Sequence, residues 1–522
     1  TITSVNDPPL IPASTARRLS LAGLLLLLLC AAALRSRHLD DPFWVDELHT
    51  GWTVQGEWSE IGPRANAGNQ PAAYFSMLWP LARVFGSHEL VLRMPSLLAS
   101  LALVLLVPWL VMKAGGSWWG AAGAALLTTL DATTTVFAAE ARPYALVQLV
   151  VLLHLATLLA RLAALTGTRK EWLGWRIGWT LSAVLLVHLH FTTILVLAAE
   201  LPALWWICRQ QKINWRRWAL DASVLLLCCL PLLDTLLLVH SRRHNWAEFI
   251  PQPSIWGLLT RLPLLACLAI PLLCLVPLNR DRSRRPDAGR PPLSLSLRVV
   301  AVICLLPLLV AWLLSRLDVA RLWHPRYVVS ASVLLPLLTG LLLSYLPGSR
   351  QKQLLATIAT LLLVLLVAGA ARDCWRIGPR QEYWPAALAL IDESDPAASL
   401  PVMLCPGLIE DEGLLDPSLP APLAGMQIAE FCLFPLAGPY QLAKQPPLLL
   451  PLATSSQALP AVAAASVKQH GGGWLIVRGN MQRARDWATE LVGTGLRVRA
   501  HGFGRVHVLK LDYSAPGPTP GK

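Results

Sequence analysis

From residue 19 to residue 371 the chain alternates long unbroken runs of Leu, Val and Ala with short polar stretches. A bilayer core is crossed by ~20 apolar residues in a helix. On that measure the pattern predicts spans near 19–36, 89–112, 118–137, 143–163, 178–190, 191–208, 219–239, 257–278, 298–314, 328–347 and 354–371, about eleven in all. The two short pieces around 178–208 meet at His188-Leu189-His190 and suggest a tight re-entrant pair. The first run, Leu19 to Leu34, follows Arg17-Arg18 and is expected to stay as an uncleaved first membrane helix.

The pattern changes after Arg372. Proline, glycine and balanced charge replace the apolar runs. Glu382–Glu393 reads as a helix, Pro401–Cys405 and Trp474–Val477 as strands, Gln482–Val492 as a helix, and Leu496–Leu511 as one or two strands around Gly502 and Gly504. The expected organisation is a polar N-terminal arm over 1–18, a membrane domain over 19–371 with a first outer loop at 37–88, an α/β domain over 372–512, and a disordered tail at 513–522.

Composition agrees. Of the 522 residues 55% are hydrophobic and only 14% charged, with mean hydropathy +0.51; soluble domains carry about 25% charged residues. The net charge of +13 does not point to nucleic acid, because 372–522 holds 13 basic and 13 acidic residues. The whole excess lies in the membrane part, where Lys and Arg mark cytoplasmic loops. One alternate set of loops carries Arg17-Arg18, Lys113, Arg169-Lys170 with Arg176, Arg209 to Arg217, Arg280 to Arg290, and Arg350 with Lys352. The opposite, outer face then receives Asp46-Glu47, Glu140, His240 to Glu248, Arg316 to Arg326, and everything after Arg372. This predicts a multi-pass protein of the cell inner membrane with an extracytoplasmic C-terminal domain. Five of the ten cysteines, Cys228, Cys229, Cys267, Cys274 and Cys304, sit in apolar runs as small core residues; Cys405 and Cys432 are either a disulfide or two free thiols.

Several polar groups stand out against this background. Asp46-Glu47, just after the first span, could serve as a general base, with burial near lipid raising its pKa toward a useful range; an acid pair alone also fits a solvated loop. Glu140 ends the third span, and Arg142-Pro143-Tyr144 opens the next with a phosphate-binding fork at a helix start; a local ion pair is the plainer reading. The loop Asp318–Tyr327 sets Arg321, His324 and Arg326 beside Trp323 and Tyr327, suited to a phosphate leaving group or to interfacial anchoring. His188 and His190 point apart on a helix, and Asp234 lies near one end of a span.

Together these features form a more specific pattern. Asp46-Glu47 is followed by Asn69-Gln70-Pro71-Ala72-Ala73-Tyr74, Phe85-Gly86, Leu92-Arg93-Met94-Pro95-Ser96, Glu140-Ala141-Arg142-Pro143-Tyr144 and Pro325-Arg326-Tyr327. The pattern resembles the GT-C superfamily of membrane glycosyltransferases, in the branch of bacterial protein O-mannosyltransferases and lipid A aminoarabinose transferases. The resemblance covers about 35–371, and the tail only in kind.

The resemblance implies a GT-C-type polytopic α-helical membrane protein with a small α/β extracytoplasmic domain. It implies a polyprenyl-phosphate sugar donor and a lipid, glycan or protein acceptor at the outer face. Asp46 would activate the acceptor, supported by Glu47, with Glu140 as second acid. Arg142 and Arg326 would meet phosphate, and Tyr144, Gln70, His324 and Tyr327 would face substrate. Gln70 stands where relatives often carry His or Lys. No Cys/His metal spacing appears, although a divalent cation remains compatible. Two other readings stay open: a transporter or flippase of lipid-linked sugars, and an envelope assembly protein with reduced catalysis.

Overall fold

The computed structural model describes residues 13–164, 169–211, 216–242, 250–261, 292–344, 350–379, 381–414, 428–454, 461–479, 482, 486 and 496–513. Helices dominate as far as residue 375, and a small sheet follows. Among the described residues five helices are long and apolar enough to cross a membrane: Glu89–Lys113, Tyr144–Ala163, Phe191–Arg209, Trp218–Ser241 and Leu293–Arg316. A sixth pass forms if the bent pair Trp118–Leu130 and Ala132–Ala138 counts as one. Helices also occupy the other expected spans as far as these are described, but several are shorter than a full crossing. The chain is thus a multi-pass membrane protein, with fewer full-length passes among the described residues than the eleven expected.

The first helices are α1 (Ala13–Arg35), α2 (Val45–Gln55), α3 (Ile61–Ala67) and α4 (Ala73–Phe85). The stretch 37–88 is therefore mostly helical rather than a loop. Helix α5 (Glu89–Lys113) lies against α8 (Tyr144–Ala163) and the pair α6 (Trp118–Leu130) and α7 (Ala132–Ala138). The α6–α7 pair bends by 54°. The Asp131 carboxylate accepts the Thr134 N–H at 2.6 Å and caps α7. On the other side of the break, buried Arg35 donates to Thr128 O at 2.7 Å and Ser100 O at 2.8 Å. A single span was expected here, and the aspartate with its cap explains the kink.

Two further differences concern α9 (Arg169–Leu189) and α10 (Ile194–Gln211). Helix α9 begins at Arg169, not near 178. Its polar first half joins the helix because Arg176 pairs with Asp221 at 2.5 Å and Trp179 donates to buried Glu200 at 3.0 Å. Nor do α9 and α10 form a re-entrant pair: α9 packs chiefly on α8, and α10 on the helix Leu293–Arg316. Next come α11 (Arg216–Cys229) and α12 (Leu233–Ser241), where Asp234 is exposed. Of the expected span 257–278, the structure describes only the part to Arg261. The arm to residue 12, most of the expected helix 482–492, the loops 243–249 and 280–290, and the tail from 514 lie outside the described residues.

The C-terminal sheet has strand order β2-β1-β3-β5-β4, built from β1 (Val402–Cys405), β2 (Leu449–Pro451), β3 (Gly472–Arg478), β4 (Leu496–Phe503) and β5 (Val506–Tyr513). β1 runs parallel to both neighbours; β5 is antiparallel to β3 and β4. The β4–β5 hairpin turns at Gly504, whose φ of 70° suits glycine. Alternation along the strands sends Leu404, Ile476 and Val508 toward Trp384 and Ile391, and Met403, Leu475 and Leu509 toward Ala463 and Val467. The first of these faces is continuous with the membrane-domain core through Phe431, Phe434, Trp52 and Phe43. Cys405 and Cys432 are both buried free thiols, so the disulfide alternative does not hold.

Candidate active site

The site is built on α2. Glu47 closes its N-terminus by reaching back to accept the Trp44 N–H at 3.4 Å. Leu48 and Trp52 bury its inward face. Trp52 stacks on Phe431 of the helix Ile428–Ala437, with ring centroids 4.8 Å apart, and Gly51 allows Phe434 to come close. Helix α2 is thus held between the membrane bundle and the C-terminal domain. A second tie runs through Tyr440, whose hydroxyl accepts the Phe43 N–H at 2.6 Å and donates to Glu89.

Glu47 was expected beside Asp46 as a catalytic carboxylate. The structure surrounds it with fixed partners. It is fully buried, and Arg93 binds it through Nε at 2.8 Å and Nη2 at 2.6 Å. The Ala141 N–H donates to the same carboxylate at 2.7 Å. Arg93 also donates to Leu39 O at 2.8 Å and Asp41 O at 2.6 Å. A buried carboxylate with both oxygens occupied cannot exchange protons with a substrate, but it can fix α2 against the turn 139–143. These contacts suit Glu47 to holding α2 in place, and Arg93 clamps the whole approach to α2.

Asp46, one residue earlier, turns the other way and keeps 29% of its side chain exposed. Its Oδ2 accepts Arg326 Nη1 at 2.7 Å, and its main-chain carbonyl accepts Arg142 Nη1 at 3.0 Å. Arg326 also lies over the Trp44 ring at 4.4 Å. Burial pushes the Asp46 carboxyl up, but Arg326 and then Arg142 outweigh it and hold it below the usual carboxylate range. This corrects the expectation that burial raises it: the two guanidiniums decide. Arg326 is raised in turn, burial notwithstanding, by Asp46.

The remaining expected residues largely converge. Glu140 and Arg142 are buried in the 139–143 turn, where Pro143 opens α8, and Arg142 Nε has no hydrogen-bond partner. Tyr144 packs at 5.6 Å from the His190 ring, His190 at 6.4 Å from Tyr327, and Tyr327 at 5.8 Å from His324. His190 therefore belongs with these rings, whereas His188 bonds Cys228 O at 3.0 Å. The loop bearing His324 and Arg326 is tied down by Ser315, whose hydroxyl accepts both Leu322 N and Trp323 N at 2.7 Å. Gln70 follows Asn69, a non-glycine residue at φ 59°, and its Oε1 is sealed without a partner.

Sequence reasoning missed four neighbours. His49, one turn after Asp46, is buried, donates to Arg64 O at 2.9 Å, and is pushed down to about 4 by burial and by Arg142, so it is neutral. Glu410 accepts Asn69 Nδ2 at 3.3 Å, and Arg242 donates to Asn69 Oδ1 at 3.0 Å. Arg478 binds Glu382 and Gly407 O, both at 2.9 Å. Three of these lie beyond residue 200 on elements that no motif links to α2. Among the described residues no three metal-capable side chains converge. Asp46 and Glu47 each face an arginine, and Arg326 and Arg142 around Asp46 supply the positive charge that an anionic ligand needs.

No family model and no curated sequence matches the chain. Several solved structures align with it along most of its length. The crystal structure of ArnT from Cupriavidus metallidurans bound to undecaprenyl phosphate aligns over 97% of this chain and 100% of its own, at 16% identity and TM-score 0.47. The apo form of the same protein aligns over 95% and 98%, at 15% identity and TM-score 0.48. The cryo-EM structure of arabinofuranosyltransferase AftD from Mycobacteria aligns over 95% of this chain but only 40% of its own length, at 16% identity and TM-score 0.48.

Proposed function

We propose that the chain is a membrane glycosyltransferase that moves a sugar from a polyprenyl-phosphate donor to an acceptor hydroxyl at the outer face of the inner membrane. The observation that carries this reading is the meeting of Asp46, Arg142 and Arg326 from three distant segments. A carboxylate beside two guanidiniums suits a reaction in which a hydroxyl loses a proton while a phosphate departs. In the resting protein Arg326 occupies Asp46. A donor phosphate would compete for Arg326 and Arg142, and the carboxylate it frees would regain basicity. Donor binding would thereby switch on the base.

In the step itself, the acceptor oxygen attacks the anomeric carbon as Asp46 takes its proton. The bond from anomeric carbon to phosphate oxygen breaks, and polyprenyl phosphate leaves with its electron pair toward the arginines. A single displacement inverts the anomeric centre. Glu47 and Arg93 hold the geometry, and Glu140 adds negative charge beside Arg142. Orientation of the two substrates would supply much of the rate.

The test measures transfer of radiolabelled sugar from polyprenyl-phosphate mannose in nanodiscs, with donor binding followed in parallel. Asp46→Asn should lower transfer by ~100-fold or more while donor binding holds or tightens, because Arg326 loses its competitor. Equal turnover in both proteins would remove Asp46 as base.

A further inference from the structure

Arg326 is tied down less than the other arginines around α2. Among the described residues its guanidinium makes one hydrogen bond, from Nη1 to Asp46 at 2.7 Å. Its other close contact is the half-buried Trp44 ring, whose centroid lies 4.4 Å from Cζ. Arg326 and Asp46 each keep 29% of the side chain exposed, so a ligand can reach the pair. Arg142 differs: it is buried and donates to the Asp46 main-chain carbonyl at 3.0 Å. Arg64 also lies over a tryptophan, Trp52 at 4.7 Å, but Trp52 O at 2.8 Å and Glu60 at 3.1 Å already fix it. At Arg326 the ring is the contact that survives when Asp46 lets go.

Trp44 itself is held in place. It is the extended residue before α2, at φ −91° and ψ 170°, and its N–H donates to Glu47 at 3.4 Å, the carboxylate that Arg93 locks. The preceding Phe43 ring is fully buried, and its N–H donates to the Tyr440 hydroxyl at 2.6 Å. The ring is thus anchored from the membrane bundle and from the C-terminal domain together.

We propose that Trp44 is a positioning residue that holds the Arg326 guanidinium by its face, so that the N–H edge is presented to a phosphate when Asp46 releases it. This rests on the transfer reading above and adds the group that keeps Arg326 in place between its resting and donor-bound partners. The five N–H groups of a guanidinium lie in its plane, whereas an aromatic ring attracts it through the face. The Trp44 contact therefore uses no donor and does not compete with phosphate, as a second carboxylate would. A loose arginine would have to be immobilised by the ligand, and the lost side-chain freedom would lower affinity. With the ring against it, that order exists before the ligand arrives. The base of the side chain is fixed as well, because Ser315 ties down the loop that carries it.

The experiment uses the full chain in nanodiscs with farnesyl phosphate as the probe. Affinity is read by isothermal titration calorimetry, and sugar transfer is read separately. Trp44→Leu should weaken binding about tenfold, the range of a cation–π contact shielded from water. Trp44→Phe keeps a weaker face and should lose about threefold. In the Arg326→Gln background, Trp44→Leu should add less than about twofold, because the cation it holds is gone. In Asp46→Asn the loss should persist, since the ring acts once the carboxylate has let go. An equal loss with and without the arginine would make Trp44 a packing residue and overturn the assignment. Unchanged affinity in Trp44→Leu, an effect that vanishes in Asp46→Asn, or no binding of the probe by wild type would overturn it too. Should Trp44→Leu fail to fold, the same cycle with Trp44→Phe decides. Coupling of Trp44 to Arg326 without any sugar transfer would leave the positioning role standing and remove the transfer reading. Transfer with additive losses would do the reverse.

Discussion

Breaking the Glu47–Arg93 pair should separate the architecture of the site from its chemistry. Both side chains are completely buried, and the contact is bidentate at 2.6 and 2.8 Å. Removing one member of such a pair strands the other's charge, at about 3–5 kcal/mol. Glu47→Gln keeps a carbonyl for the Ala141 N–H but leaves Arg93 uncompensated, so it belongs near ~3 kcal/mol. Arg93→Met strands Glu47 and also takes donors from Leu39 O and Asp41 O. It belongs at the upper end, about 5 kcal/mol. The double variant Glu47→Leu/Arg93→Met removes both charges together. It should be less destabilising than the sum of the singles, with a coupling of ~2 kcal/mol or more.

The assay is unfolding in detergent against SDS, combined with limited proteolysis around 38–47. Sugar transfer should drop in all three variants, since Glu47 is what ties α2 to the turn carrying Glu140 and Arg142. Additivity of the single substitutions within ~0.5 kcal/mol would refute the coupling. A stable Glu47→Gln that lost only turnover would return Glu47 to the chemistry.

Two further outcomes follow from the same geometry. Glu410 and Asp411 are raised to about 7 and about 6, by burial in both cases. Their neutral forms are therefore favoured in the folded state. Stability should be full below the unfolded carboxylate range and decline as the pH rises toward 7. Glu410→Gln should accordingly melt with the wild type at pH 5 and above it at pH 8, as differential scanning fluorimetry would detect; identical curves at both pH values would count against the buried carboxylate. In the membrane bundle, a Cβ on Gly120 would sit 2.1 Å from Gly340 O, in the backbone of the helix Leu334–Leu343. Gly120→Val should destabilise by about 1–3 kcal/mol or more, whereas Gly23→Val, with nothing within 4 Å, should leave the melting point unchanged.

Much of this protein was legible in the chain because bilayers and sheets impose simple periods. Unbroken apolar runs announce helices wherever burial is uniform, and the helices of the bundle fall where those runs do. The β4–β5 hairpin was visible from alternation around Gly504. Asp46, Arg142 and Arg326 stood out because charge is rare among such residues. What remained hidden has one physical cause: a side chain's role depends on what lies opposite it. Asp46 and Glu47 are neighbours of like chemistry, yet two buried nitrogens of Arg93 silence one while Arg326 and solvent share the other. The pKa of Asp46 moved against expectation for the same reason, since burial alone says nothing about two guanidiniums arriving from residues 142 and 326. Helix α9 absorbed a charged turn because Asp221 waits across the interface. Glu410 carries no local signature at all. Only the docking of the C-terminal domain on α2 brings it beside Asn69.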